Sequence, residues 1–382
     1  MAESTDVVIV GGGVAGCATA YYLAQAGVRA TIIEREGISS QASGFSAGGL
    51  NPLEGSCIPG PLSALAMSSF KLHKELWGKL RSATGIDFQD RIVSLTKVAF
   101  SEEEAPALQE SLSIFEAARE EGFSGEWLHR SELLRLEPRL SPNLIGGIRL
   151  FGNATLSSLL FTQALAEAAQ KEGATVRPGI ARGARLDNGR VLSVILEDGE
   201  INCDQVVLAA GPWSREAEQW LDISLPVDPL KGEILRLEVH GPALAGDYNG
   251  AGASVYPRGD GLVWCGTTEV DEGFNREPTE AAKEKIWGAA AALMPELAHA
   301  TLAKHTACLR PVTPDNMPIV GRAPGWENVF LATGAGKKGI LLSPAMGKAT
   351  ADLMTEGVTE VPLENCGPER FAPSVKSATA DD

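Results

Sequence analysis

The stretch VVIVGGGVAGCATAYYLAQAGV, residues 7–28, constrains the fold more than any other part of the chain. Val7 to Val10 is a β-branched run of the kind a strand buried on both faces requires. Gly11, Gly13 and Gly16 then spell G-x-G-x-x-G, and Ala15, Ala18, Ala20, Leu23 and Ala24 continue as a helix ending near Gly27. The uncharged run is long enough to cross a bilayer, but glycines packed at its centre read as strand, turn and helix. The next strand, RATIIE, ends in Glu34, about 20 residues beyond the glycines, where a carboxylate can hold ribose hydroxyls. Gly11 permits the tight turn, Gly13 lets backbone amides approach a pyrophosphate, and Gly16 allows the helix to pack closely on the strand. The helix N-terminus faces the anion. The unit predicts dinucleotide binding. An acid at position 34 disfavours a 2′-phosphate and hence NADP; FAD and NAD are not separated by this motif.

With 382 residues the chain exceeds what one core normally organises, which predicts two domains or one with a large insertion. The net charge of −16, with no basic cluster to offset it, disfavours nucleic acid and anionic membrane surfaces, both polyanions. Six cysteines are scattered without a CxxC pair or adjacent histidines, so neither a metal site nor a disulfide framework is expected. The opening MAESTD carries acid where a targeting signal needs base, which points to the cytoplasm.

Between these ends, Ser39 to Pro52 is a loop of small residues able to bring backbone close to a flat ring. Ser63 to Leu80 reads as a helix, DRIVSLTKVAF as strand, and SEEEAPALQESLSIFEAARE as a helix opened by a capping box of Ser101 and Glu104, burying Leu108, Leu112 and Phe115. A further helix is expected from Leu156 to Lys171, then hairpin strands turning at Asn188-Gly189 and Asp198-Gly199. VVLAAGPW and, much later, VFLATGAG are buried strands of one kind. Their separation suggests one nucleotide-binding sheet assembled from distant pieces, with other material inserted. GEILRLEVH and GLVWCGTTE suit an antiparallel sheet in that insertion.

Taken together, VVIVGGGVAG with IIE, SGFSAGGL, VVLAAGPWS, PLKGEILRL, YPRGDGLVWCGTTE, LRPVTPDNMPIVG and ATGAGKKGILLSPAMG resemble the FAD-dependent amine and amino-acid oxidoreductases of the D-amino-acid oxidase superfamily, most closely its glycine oxidase and sarcosine oxidase branch. The resemblance covers nearly the whole chain. It implies an α/β fold, α+β overall: a discontinuous Rossmann-like FAD-binding domain (residues 1–85, 142–225 and 306–370) with an inserted antiparallel-sheet substrate domain (86–141 and 226–305). A disordered tail is expected at 371–382.

FAD is the implied cofactor. Its expected contacts are Gly11, Gly13, Val14, Ala15, Gly16, Glu34 and Arg35 at the front; Ser43, Ser46, Ala47 and Gly48 in the small-residue loop; Val176; Ala210, Gly211 and Trp213; and Cys308, Gly334, Gly336, Lys337, Lys338, Gly339 and Ile340 near the end. Arg310 takes the place of the family's substrate-carboxylate anchor, a role its planar fork suits. The other reading of Arg310 is an arginine paired with a surface acid. Tyr256 and Lys338 complete the expected catalytic set. Where glycine oxidases carry a tyrosine, this chain has Ser254, with Tyr256 and Tyr248 nearby. GAGKKG brings Lys337 and Lys338 to a place where the family often has arginine or histidine; Lys231 and Lys348 are further basic candidates. Cys308 matches the cysteine joined to flavin in monomeric sarcosine oxidases, whereas glycine oxidases hold flavin without a covalent link.

The implied reaction is oxidative deamination of a small amino acid or N-substituted glycine, by hydride transfer to flavin N5 with O2 as acceptor and H2O2 as product. Alternatives are a dehydrogenase of an amino acid or 2-hydroxy acid using another acceptor, and a noncatalytic flavoprotein subunit. The partners expected are a small-molecule substrate and O2, with a homo-oligomer left open.

Overall fold

The computed structural model describes residues 3–372, folded around two sheets. In the first sheet Glu3–Val10 lies at the centre, with Ala30–Glu34 parallel on one side and Gly199–Leu208 parallel on the other. Val329–Thr333 pairs in parallel beyond Gly199–Leu208, and Thr175–Pro178 beyond Ala30–Glu34. The two separated runs, VVLAAGPW and VFLATGAG, thus meet as neighbours: Leu208 stands opposite Leu331. Ile319–Arg322 closes one edge in antiparallel fashion.

Helices Val14–Gln25, Ser158–Lys171, Gly339–Thr355 and Ser63–Thr84 cover one face of this sheet. Their closest approach is made by small residues: a β-carbon at Gly347 would meet the backbone of Ala18 at 2.6 Å. The opposite face is covered by the hairpin Ala181–Asp187 and Arg190–Leu196 and by the segment Gly211–Leu221. Such double coverage explains why Val7 to Val10 are apolar without alternation.

The second sheet contains Thr301–Val312, Asp228–Glu238, Val263–Gly266, Ala253–Pro257, Asp247–Gly250, Arg91–Ala99, Gly146–Thr155 and Gly49–Leu50, with Ser124–His129 also on Gly146–Thr155. Its pairs are antiparallel except one, Asp247–Gly250 beside Arg91–Ala99. Helix Glu280–Leu293 packs on it through Ile286, Ala290 and Leu293.

Gly146–Thr155 and all of Thr301–Val312 lie in the second sheet. Two local expectations shift. Glu104, not Ser101, is the N-cap of helix Ala105–Ala117, and its carboxylate instead accepts from the Phe100 amide at 2.8 Å. The second hairpin turns on Glu197 and Asp198, since Gly199 already pairs with Leu196. Of the expected tail, Phe371 ends a short 3₁₀ turn, Pro368–Phe371, and residues 373–382 lie outside the described residues. Among the described residues no helix is long and apolar enough to cross a membrane, and no His/Cys/Asp/Glu group is placed to hold a metal ion.

Candidate active site

A cavity of about 460 Å³ runs between the two sheets. Its walls come from the first glycine turn, the Ser40–Asn51 loop, the segments after Leu208 and Ala332, and the second sheet. Every residue expected at cofactor or substrate lines it except Gly16 and Val176. Gly16 acts one layer back: a β-carbon there would collide with the Gly11 carbonyl. Val176 sits on the sheet edge opposite Ile32.

At one end, helix Val14–Gln25 begins at Gly13 without a side-chain cap on its own first turn. Instead the Val14 amide donates to Ser43 Oγ at 2.9 Å, tying the small-residue loop to the helix. Gly11 has φ of 114° and packs on the Ala209 carbonyl, a conformation and a closeness that a side chain would forbid. A β-carbon at Gly13, by contrast, would approach the described protein only at Ser43 Oγ, 3.4 Å away, so a side chain there would enter the cavity. Glu34 Oε2 accepts from the Gly12 amide at 2.7 Å and Oε1 from the Glu36 amide at 2.9 Å. Arg35 stacks on Trp213, its Cζ 4.9 Å from the ring centre.

At the other end, Arg310 lies on Thr301–Val312. Its Nη1 donates to the Thr268 carbonyl at 3.1 Å and its Nη2 to Thr267 Oγ1 at 3.0 Å. Among the described residues no carboxylate lies within 4.0 Å of this guanidinium, so the surface-pair reading finds no partner. Tyr256 also lines the cavity; burial holds its hydroxyl above the usual tyrosine range. Its ring lies under Arg258, Cζ 4.7 Å from the centre. Arg258 in turn forks onto Asp247, at 2.8 and 3.2 Å, and donates to the Ala47 carbonyl at 2.6 Å, joining the second sheet to the small-residue loop.

The two adjacent lysines separate. Lys337 pairs with Glu269 at 2.9 Å and is exposed. Lys338 turns inward, donating to the carbonyls of Asn51 and Glu54, and Gly55 leaves the room its chain occupies. Burial lowers its ammonium to about 8, with Glu54 opposing and Lys337 adding to the shift. Cys308 is a buried free thiol on the cavity wall, raised by burial and drawn back by Arg310.

Three sequence candidates fall away from the cavity. Tyr248 is buried in the core of the second sheet. Lys231, fully buried, pairs with Glu272 at 2.8 Å. Lys348 pairs with Asp352 one helical turn on, at 3.0 Å. Conversely, Asn51, Asn249, Thr267 and Ile234 also line the cavity; Thr267 and Ile234 lie within the quoted blocks YPRGDGLVWCGTTE and PLKGEILRL and Asn51 within the small-residue loop, but none is singled out there as a site residue.

A family model described as FAD dependent oxidoreductase matches residues 6–353. The chain belongs to that family. It is 32% identical over 366 residues to a glycine oxidase of Pseudomonas aeruginosa, covering 92% of this chain and 95% of that one. The crystal structure of glycine oxidase from Geobacillus kaustophilus superposes with a TM-score of 0.90 at 31% identity, covering 97% of this chain and all of that one. An iminodiacetate oxidase from a Chelativorans strain superposes with a TM-score of 0.86 at 26% identity.

FAD is therefore the cofactor, and the cavity fits it: a side chain at Gly13 would fill space that a pyrophosphate needs, beside a helix start that has no side-chain cap of its own and only Ser43 on its first amide. Glu34 has the chemistry to exchange its amide partners for ribose hydroxyls. The small residues after Leu208 and Ala332 leave the middle of the cavity open to a flat ring.

Proposed function

We propose that this chain oxidises the C–N bond of a small amino acid or N-substituted glycine, with O2 as the final acceptor and H2O2 as product. The observation that carries the reading is Arg310: a guanidinium on the cavity wall, held by a carbonyl and a hydroxyl and facing no carboxylate among the described residues. The names of the relatives, glycine oxidases and an iminodiacetate oxidase, support an amino-acid substrate whose carboxylate completes that site.

Bound FAD supplies the hydride acceptor. In this reading Arg310 grips the substrate carboxylate through two parallel hydrogen bonds and so orients the carbon that loses hydride. Thr267 and the Thr268 carbonyl hold the guanidinium at the angle the grip requires. Tyr256, kept protonated by burial, offers a hydroxyl to the substrate in place of the tyrosine missing at Ser254. Lys338 places positive charge at the cavity wall, where it would favour the reaction of the reduced cofactor with oxygen. Cys308 is a thiol raised by burial; a glycine oxidase-like site holds the cofactor without a bond to it.

The test is anaerobic bleaching of the purified yellow protein by glycine, sarcosine, D- and L-amino acids and 2-hydroxy acids, followed by air and a peroxide assay. Bleaching by an amino acid with reoxidation and peroxide is the expected result. Bleaching that air does not reverse would make the protein a dehydrogenase. Bleaching by hydroxy acids in place of amino acids would overturn the substrate class.

A further inference from the structure

The substrate end of the cavity continues past Asn51 and Asn249. A second cavity, of about 590 Å³, opens there, and Asn51, Leu95 and Asn249 line both. Helix Ala105–Ala117 forms its outer wall and Arg91–Ala99 its floor. Polar groups are built into it. Lys97 Nζ donates to Glu54 Oε1 at 2.9 Å and to Ser111 Oγ at 2.8 Å. The Ser111 hydroxyl donates to the same carboxylate, and Asn51 Nδ2 reaches its other oxygen at 3.4 Å. Burial pushes the Glu54 carboxyl up, but Lys97 and these hydrogen bonds outweigh it, so the group lies below the usual range. Glu110 lines the cavity from the exposed side of the helix; Glu54 is answered by Lys97 and lies near the ammonium of Lys338, whereas Glu110 has no ammonium within 4.0 Å among the described residues.

Resting on the substrate reading above, we propose that this second cavity receives the substituent of the substrate, and that it selects substituents ending in a cationic or neutral hydrogen-bonding group. Leu95, Leu108 and Ile114 in the same lining give the stem of a substituent apolar contact, whereas a hydrocarbon end beside Lys97 and Glu54 would strip water from that pair and return no hydrogen bond. A second carboxylate would meet Glu110, the acid left unpaired at the rim, while Lys97 is already held by Glu54. The selection is thus partly by repulsion. Asn51 and Asn249, at the junction, are placed to bond the part of the substituent that passes between the cavities.

The experiment measures kcat/KM of the FAD-loaded enzyme for glycine, N-ethylglycine, N-(2-aminoethyl)glycine and N-(carboxymethyl)glycine, in the natural protein and in Glu110→Lys. Glu110 is an exposed helix residue that does not line the first cavity, where Arg310, Tyr256 and Lys338 stand. The aminoethyl compound is expected to exceed the ethyl compound by about tenfold, the equivalent of one good hydrogen bond. Glu110→Lys should narrow the aminoethyl to carboxymethyl ratio by about tenfold while glycine is unchanged. If glycine is oxidised but the ethyl compound equals the aminoethyl one, or the ratio ignores Glu110→Lys, the subsite is wrong and the substrate reading survives. If no compound reduces the flavin, glycine included, the substrate reading falls and the subsite with it.

Discussion

Gly232 stands opposite Cys308 on the neighbouring strand, and a β-carbon at Gly232 would overlap the guanidinium of Arg310. The arginine lies across the strand over the place a side chain would fill. Gly232 is not among the residues with positive φ, so an alanine backbone fits there and the conflict is with Arg310 alone. Gly232→Ala should raise KM for the amino acid by about tenfold or more, the cost of displacing a charge-assisted contact. Steady-state kinetics with the flavin absorbance as a loading control checks this; an unchanged KM would mean that the guanidinium is not held where it is needed.

Arg310→Ala should lower kcat/KM by roughly a hundredfold or more, since two hydrogen bonds to a charged group are lost together. Arg310→Lys should recover part of the charge and none of the fork geometry. Both variants should purify yellow, because the residue lies at the substrate end and not at the glycine turn. Kinetics equal to the natural enzyme in both would remove Arg310 from the anchor role.

Lys338 titrates at about 8 through burial. Below that pH its ammonium is present, and above it the charge is lost. The rate of flavin reoxidation by O2 should therefore fall as pH rises through about 8, and Lys338→Met should flatten that step. Stopped-flow reoxidation across the range reads it directly. The sign for stability is separate: the unfolded lysine holds its proton to higher pH, so this group's unfavourable contribution is relieved as pH rises above about 8.

Lys231 is fully buried with Glu233 and Glu272 around it, and the Glu233 carboxylate also takes the Thr279 amide at 2.9 Å. Lys231→Met leaves those carboxylates without their ammonium. Glu272 reaches solvent and Glu233 keeps Thr279, so the loss should be that of one buried charged contact, about 1.5–3 kcal/mol. Denaturant unfolding of the FAD-loaded protein measures it; a loss below about 1 kcal/mol, the range of an exposed pair, would show that the pair is solvated in solution.

The glycine turn, its strand and helix, and Glu34 were legible because their partners lie within a few tens of residues, and each glycine answers a local backbone demand. Gly11 shows this most clearly, with its positive φ and its contact on the Ala209 carbonyl. That VVLAAGPW and VFLATGAG share one sheet was also legible, as two buried runs of one kind; that they are direct neighbours was not. Less legible were the chain's crossings between sheets. Gly146–Thr155 carries no mark that assigns it to the second sheet, because strand propensity does not name a partner.

What the sequence by itself determined was therefore the cofactor-binding unit, the family and the identity of Arg310 as the residue to ask about. Tertiary structure alone decided which lysine of the adjacent pair turns inward, that Tyr256 and not Tyr248 reaches the cavity, and that Arg310 faces no acid among the described residues. It also decided that Lys97, Glu54 and Ser111, far apart in the chain, share one wall. The physical reason is that backbone conformation is set by near neighbours, whereas burial, charge pairing and cavity shape depend on which distant strands are brought side by side.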